Sequence, residues 1–443
     1  MDISIRLGNA SVKLNTNMLM CKLMLFSILI PARGSILGIT FGANLILLLC
    51  FAGQFLASQK LVSNIPKFCL VYILISLFEI LIHFSDKSLS NNIIAVARLI
   101  APVYVILIGV TDLEKFRSML QFIVKVFTVY GVLGIIETLT HFNFFDAVTG
   151  TKVVYEHANE LRFGLARNRG ALDVSINNGM LLCMVLCIAA YVLIYSSKKE
   201  HKFYMCCYLI IFIDTFLTLS RGIWMELIAT QVLIFLALTS KEKRKILAKI
   251  FIAIVLIVAV LSILSPKILN NITYIVQEMM KSIFDALTGA DTSDTSEMNY
   301  GVGHRFALWS WVWEKTQGYL IFGTGYSIPF VYVVSPTYIK ESIEVMWLYM
   351  LYHVGFVGLF GYIIYQIGSI CYMIKGYVLE KNILENKKVT FNYVILVATI
   401  LYFFTQFSCS AFEDLRFYYI MLSLTFAYNR ILLRQKKECK DSI

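Results

Sequence analysis

Arginines are the residues of this sequence whose type and position most directly suggest chemistry. A guanidinium group presents a planar fork of donors that matches the oxygens of a phosphate group in a bidentate way. The arginines that the charge pattern described below places outside a membrane are Arg33, Arg162, Arg167, Arg169, Arg221, Arg305 and Arg416. Lysines predominate on the opposite side, as is usual for membrane proteins. The outer arginines predict a site for a phosphate-bearing molecule that arrives in the lipid.

The composition is that of a polytopic membrane protein. The chain has 443 residues, of which 58% are hydrophobic, and this is too apolar for a soluble domain. The formal net charge of +11 does not indicate nucleic acid as a partner, because the basic residues fall in short segments between apolar stretches. The 10 cysteines lie almost entirely in apolar stretches and predict neither a disulfide framework nor a metal site. No cofactor is expected.

Apolar stretches of roughly 20 residues predict about 12 transmembrane helices, since only a helix satisfies its own backbone in lipid. These stretches lie near 17–33, 35–57, 66–84, 92–110, 118–138, 176–195, 203–219, 223–239, 249–265, 343–368, 391–408 and 414–432. The predicted fold class is therefore an all-α integral membrane protein.

Charge predicts the orientation of these spans. The short basic segments are 196–202, 240–249, 381–388 and 434–440, and placing all of them inside is mutually consistent. Both termini then lie inside, and the long segments 139–175 and 266–342 lie outside. The predicted organisation is nine spans within 1–265, a large outer loop at 266–342, and three spans with an inner tail in 343–443.

The large outer loop has a recognisable internal order. Residues 304–316 have the apolar spacing of an amphipathic helix, which we expect to lie along the membrane surface. Gly323 and Gly325 predict turns before the tenth span. The tryptophans that fall at or beyond the outer interface are Trp224, Trp309, Trp311, Trp313 and Trp347. They fit either an aromatic belt or stacking against sugar rings.

Several outer motifs follow one another in a characteristic order. They are Ser220-Arg221-Gly222, Arg305 four residues before Trp309, Gly323-Thr324-Gly325, and the pattern over 348–358 that ends in two glycines. This ordered set resembles the bacterial O-antigen polymerase and ligase superfamily over about residues 160–365. Upstream, the segment from Arg167 to Gly170 is similar to an arginine-glycine motif of the same superfamily.

The resemblance implies an enzyme of the bacterial cytoplasmic membrane with a GT-C-like fold. Such enzymes are glycosyltransferases that move oligosaccharides from an undecaprenyl-pyrophosphate carrier outside that membrane, in the assembly of O-antigen, capsule or other polysaccharides. The partners that it implies are this lipid-linked oligosaccharide, membrane lipid, a flippase and chain-length regulator proteins.

The chemistry of that transfer suggests a role for particular residues. Arg221 and Arg305 are expected to stabilise the charge that grows on the pyrophosphate. Glu344 is the candidate base for a sugar hydroxyl, and direct displacement would invert the anomeric centre without a metal. The residues expected to bind substrate are Arg167, Arg169, His304, Trp309 and Glu341, of which Glu341 is also the second candidate base.

One departure from the superfamily pattern favours a repeat-unit polymerase over a ligase. Ligases commonly place a His-Asn pair where this chain has Glu344 and Val345. His353 lies further on, inside a span, and we expect it to be a buried structural histidine. A ligase and a polytopic transporter or glycan flippase remain alternatives, although two-halved transporters usually carry their long loop in the middle and inside.

Structural explanations of the same residues also remain open. Arg221 would then anchor a span at lipid headgroups, Arg305 would pair with Glu314 or another loop acid, and Glu344 would pack at a helix start.

Overall fold

The computed structural model describes residues 2–7, 10–29, 43–58, 65–84, 89–149, 161–162, 165–172, 174–238, 273–274, 277, 302–325, 328–336, 338–383, 389–407 and 415–441. Structural statements below concern these residues. Of the predicted spans, 249–265 lies outside them.

The described part of the chain is mostly helical. Its helices are α1 (Thr16–Leu29), α2 (Ala43–Ser58), α3 (Lys67–Ile82), α4 (Leu89–Gly109), α5 (Leu113–Thr140), α6 (Phe144–Thr149), α7 (Ser175–Ile194), α8 (His201–Phe216), α9 (Arg221–Ala237), α10 (Val302–Thr316), α11 (Met346–Ile383), α12 (Phe391–Thr405) and α13 (Leu415–Asp441). Three two-stranded antiparallel ribbons accompany them: β1 (Asp2–Leu7) with β2 (Ala10–Asn15), β3 (Leu161–Arg162) with β4 (Leu165–Ala166), and β5 (Tyr332–Ser335) with β6 (Tyr338–Lys340).

Each predicted span that the structure describes overlaps a helix. Among the described residues, α5, α7 and α11 are long and apolar enough to cross a membrane by themselves. Shorter apolar helices lie at Thr16–Leu29, Ile46–Leu56, Val96–Gly109 and Phe391–Thr405. The helical membrane-protein class is therefore confirmed, while the number of spans and the extent of the outer loop stay predictions.

Local sequence sets where several helices begin. Asp112 precedes α5, and its side chain accepts a hydrogen bond from the backbone N–H of Lys115 at 2.8 Å. Partial burial acts to raise the pKa of Asp112, but hydrogen bonds from Lys115 outweigh it and lower that pKa below its usual value. Thr390 precedes α12 in the same manner, since its hydroxyl accepts from the Tyr393 N–H at 3.2 Å.

One end of the bundle gathers the starts of α5 and α12 and the later part of α11. The buried Glu380 carboxylate accepts hydrogen bonds from the backbone N–H groups of Phe391 and Asn392, each at 3.0 Å. It also accepts one from the Tyr428 hydroxyl at 2.7 Å, and the Tyr428 ring stacks on Phe116 at 4.6 Å. These contacts bring the starts of α5 and α12 to the same end of the bundle as the later part of α11.

Helix α11 is not a single straight rod. Gly355 interrupts it with φ 63° and ψ −165°, a left-handed backbone conformation that favours glycine. The rings of Trp347 and Tyr362 nevertheless lie 5.5 Å apart, although a straight helix would separate these residues by about 22 Å. Residues 346–354 therefore fold back onto 356–383. The sequence predicts one continuous span over 343–368, and the structure differs in this respect.

A glycine-rich turn at 320–325 fills this break. On one side of the break, the N–H groups of Thr324 and Gly325 donate to the carbonyls of Tyr352 and His353, at 2.8 and 2.9 Å respectively. On the other side, the N–H groups of Phe356 and Val357 donate to the carbonyls of Leu320 and Ile321, at 2.8 and 3.1 Å respectively. Gly323 and Gly325 have φ of 71° and 76°, so the turns predicted at these glycines are confirmed. The turn satisfies backbone groups that an interrupted membrane helix would otherwise leave unpaired.

Candidate active site

The segment that carries Arg167 is docked on the turn between α8 and α9. The N–H of Asn168 donates to the Leu217 carbonyl at 3.2 Å, and Nε of Arg167 donates to the Thr218 carbonyl at 3.4 Å. The Asn168 side chain also donates to the buried carboxylate of Asp214 on α8. This turn leads directly into α9, whose first residue is an arginine. The two outer arginine motifs predicted from sequence are therefore neighbours in the fold.

Side chains of helix α5 bind the backbone of the next residues of this segment. Glu137 accepts hydrogen bonds from the backbone N–H groups of Arg169 at 3.3 Å and Gly170 at 3.1 Å. The Tyr130 hydroxyl accepts from the N–H of Ala171 at 3.0 Å. Gly170 has φ 56°, and a Cβ atom there would lie 2.0 Å from the Tyr130 hydroxyl oxygen. The arginine-glycine motif therefore fits against α5 only with glycine at this position.

The arginines of these two motifs differ in exposure. Arg169 is buried, and its guanidinium group forms an ion pair with the carboxylate of Asp146 on α6. Arg167 and Arg221 are partly exposed. Arg221 follows Ser220, whose extended backbone begins α9. Arg167 and Arg221 are thus partly accessible at the turn between α8 and α9, and Arg169 is paired with the Asp146 carboxylate.

The start of α11 meets the same end of the bundle. Glu226, one and a half turns along α9, accepts a hydrogen bond from the Thr405 hydroxyl at 2.9 Å. The next residue, Gln406, uses its carbonyl to accept from the N–H of Met346 at 3.1 Å. Glu344 lies two residues before this N–H. These contacts join α9, α12 and α11, and they bring the candidate base to the end of the bundle where α9 begins.

Glu344 has a partner that its sequence motif does not indicate. Its Oε1 accepts a hydrogen bond from Nζ of Lys340 at 2.5 Å. The Lys340 side chain is only 8% exposed, whereas the Glu344 side chain is 46% exposed. No sequence signal marks Lys340, because the intervening residues form no regular element. Glu341, the second candidate base, is exposed.

Helix α10 is attached to the strand that ends in Lys340. Trp311 stacks on Tyr332 with ring centroids 4.8 Å apart, and Tyr332 pairs with Lys340 in the ribbon of β5 and β6. The Tyr332 hydroxyl donates to Oε2 of Glu314 at 3.1 Å. Because that carboxylate holds the phenolic proton, it raises the pKa of Tyr332 above its usual value. Helix α10 and Glu344 are therefore connected through one ribbon.

The predicted amphipathic helix is confirmed as α10, and its two faces differ in exposure. Leu308 and Val312 are fully buried, whereas Trp309 is 44% and Trp313 is 48% exposed. The side of α10 that carries Trp309 and Trp313 is therefore exposed, and the position of this helix at the membrane surface stays a prediction. His304 and Arg305 belong to the first turn of α10, and their side chains lie outside the described part of the structure.

His353 has the structural role expected of it. It is buried, and its Nδ1 lies 2.8 Å from the Gly325 carbonyl oxygen. This contact ties the glycine-rich turn to the end of the first half of α11. Within the described residues, no group of three or more His, Cys, Asp or Glu side chains could hold a metal ion.

The fold and the site together define a helical membrane protein with cationic side chains and carboxylates at one end of its bundle. A model of the protein family described as O-antigen ligase matches residues 206–363. No curated protein matches the chain. The predicted resemblance to the O-antigen polymerase and ligase superfamily is confirmed for this segment, which contains Arg221, Arg305, Glu341 and Glu344. Proteins of this family are membrane enzymes of the glycosyltransferase type that act on lipid-linked oligosaccharide.

Proposed function

We propose that this protein is a polymerase of lipid-linked oligosaccharide repeat units, for O-antigen or for capsular or other exported polysaccharide. It transfers a glycan from undecaprenyl pyrophosphate to a sugar hydroxyl outside the cytoplasmic membrane. The observation that carries this proposal is the continuous set of contacts at one bundle end. These contacts link the Arg167 segment, the start of α9, the start of α11 and helix α10.

The arginines bind and activate the donor. Arg221 and Arg305, assisted by Arg167, bind the pyrophosphate oxygens with their donor forks. As the bond from the anomeric carbon to the phosphate oxygen breaks, the electron pair leaves with the pyrophosphate. Guanidinium groups that are already in place stabilise this growing charge, which is the usual origin of large catalytic effects. Arg169 contributes by holding its segment against α6.

Glu344 activates the acceptor. The hydroxyl oxygen of the growing chain attacks the anomeric carbon from the side opposite to the pyrophosphate, and the configuration is inverted. The hydroxyl proton passes to the carboxylate of Glu344, so that no metal takes part in the step. The partial exposure of Glu344 supports this role, because an acceptor from outside can reach the carboxylate.

Ligation of a finished glycan is the second candidate, and the description of the matching family favours it. The absence of a His-Asn pair at Glu344 and Val345 favours polymerisation instead. A glycan flippase is less well supported, because Arg167 and Arg221 lie at the turn between α8 and α9 and not midway along a helix.

The deciding experiment supplies purified protein with a defined undecaprenyl-pyrophosphate repeat unit. A polymerase produces a ladder of chain lengths from this substrate alone. A ligase leaves single repeat units until a separate acceptor is added, and a flippase changes no covalent bond. Absence of a ladder from well-folded protein contradicts the polymerase proposal.

Arg221→Lys tests the role of the arginine fork in the same assay. Lysine keeps the positive charge but loses the planar donor pair, so the rate of ladder formation should fall about 100-fold. Arg434→Lys, in the second half of α13, is the matched control and should leave the rate unchanged. An Arg221→Lys variant with the normal rate would show that this guanidinium group does not bind the pyrophosphate.

A further inference from the structure

We propose that Lys340 is the positioning residue for the carboxylate that accepts the proton. Its ammonium group holds Oε1 of Glu344, so that Oε2 is the oxygen that faces the acceptor hydroxyl. The proposal rests on the proposed function, because it takes Glu344 as the base. It adds a residue that neither the sequence motifs nor the family resemblance assigns.

The two members of this ion pair are unequally exposed. Nζ of Lys340 lies 2.5 Å from Oε1 of Glu344, and the lysine side chain is 8% exposed against 46% for the glutamate. An ordinary surface ion pair joins two mobile side chains and contributes little. Here a shielded ammonium group holds a carboxylate that reaches the surface. The lysine therefore acts as the fixed member, and the carboxylate is the member presented to the outside.

The backbone of Lys340 is itself held in place. It is the last residue of β6 and pairs with Tyr332 of β5. Tyr332 stacks on Trp311 and donates a hydrogen bond to Glu314, both of which belong to α10. The lysine side chain is thus attached to a ribbon that is tied to a helix, whereas Glu344 lies in the irregular segment before α11.

This arrangement matches what a base requires. A carboxylate has two oxygens, and a bond to one of them fixes the plane of the group while the other remains available. A general base works only when its oxygen lies within hydrogen-bond reach of the proton that it removes. Among the described residues, the ion pair that Glu344 forms is with Lys340, whereas the Glu226 carboxylate on α9 accepts its hydrogen bond from Thr405. Lys340 is therefore the group that can orient the carboxylate.

Lys340→Met tests the proposal in the repeat-unit assay. Without the ammonium group the carboxylate samples several rotamers, so kcat should fall about tenfold or more while KM for the lipid-linked donor changes less than about twofold. Lys340→Arg restores a donor to Oε1 and should recover most of kcat. Lys315→Met is the matched control, because Lys315 lies over the Tyr332 ring at 6.0 Å and makes no ion pair with Glu344.

The outcomes separate positioning from mere structural support. A structural lysine would lower the melting temperature and the amount of protein in the membrane, yet leave kcat per folded molecule unchanged, and this result overturns the proposal. If the Lys340→Met variant does not reach the membrane, kcat is measured for the Lys340→Gln variant instead. If neither variant reaches it, the lysine is structural and the proposal is also overturned.

Failure of the inference is distinguishable from failure of the proposed function. If the Glu344→Gln variant is inactive and the Lys340→Met variant is fully active, only the positioning role of Lys340 is contradicted. A fully active Glu344→Gln variant removes Glu344 as the base, and with it the reason for Lys340 to be there.

Discussion

At the scale of single residues, the arginines of the two motifs that are predicted to lie outside divide into two kinds. Arg167 and Arg221 are partly exposed at the turn between α8 and α9, whereas Arg169 is buried against Asp146. Sequence patterns identify all of them equally, because each is an arginine near a glycine. The distinction depends on α6, which supplies a carboxylate from a different part of the chain. Sequence alone therefore predicts the group and not the role of each member.

Arg169→Ala should destabilise the protein more than it impairs the chemistry. Its side chain and that of Asp146 are 11% and 15% exposed, so removing the arginine takes the guanidinium group from a largely shielded carboxylate, at a cost of about 3 kcal/mol. The melting temperature in detergent measures this effect. Asp146→Asn in the same background should recover part of the loss, since it removes the negative charge that has lost the guanidinium group. A double variant that is stable but makes no ladder would instead assign substrate binding to Arg169.

The Lys340–Glu344 ion pair is a second feature that the sequence alone does not predict. The sequence predicts Glu344 from its position relative to Gly355 and Gly358. Lys340 stands four residues earlier, a spacing that brings side chains together on a helix but has no such meaning in a strand followed by an irregular segment. Only the fold brings the two groups within 2.5 Å.

At the scale of elements, the sequence predicts the helices but not the interruption of α11 at Gly355. Long apolar stretches predict α5, α7, α8 and α9, because lipid leaves the backbone no alternative to helix. In α11, the glycines at 355 and 358 have a spacing that ordinary helix packing also produces. The break becomes understandable only from residues 320–325, which are distant in sequence and supply the missing backbone partners.

Gly355→Ala tests the interrupted helix. The position has φ 63°, and a Cβ atom would lie 2.5 Å from backbone atoms of Gly323 and Ile321. Both the strained backbone and the clash oppose the substitution, so the free energy of unfolding should fall by about 3 kcal/mol. Gly318→Ala is the matched control, since its Cβ atom would meet nothing within 4 Å. Thermal unfolding of the two variants decides, and equal stability would mean that the turn does not fill the break.

At the scale of the whole molecule, contacts sort the helix termini into two sets. The end of α12 and the starts of α9 and α11 are joined by contacts through Thr405 and Gln406, and α8 ends in the turn that leads into α9. The starts of α5 and α12 and the later part of α11 meet around Glu380. This sorting agrees with the alternation that short basic segments predict, but it does not by itself say which end faces outward. The assignment of sides rests on the distribution of lysines.

Reporter fusions along the chain test that assignment. A reporter that is active only outside the cytoplasmic membrane should be active when fused after Gly318 and inactive when fused after Lys199, which lies in a basic segment. The physical reason is that lysine-rich short segments are retained inside during insertion. A second, inner reporter at the same positions is the control and should give the opposite pattern. If activity appears after Lys199 and not after Gly318, the arginines face the inside. A donor presented outside could not reach them, and the polymerase proposal would fail even with every contact of the site intact.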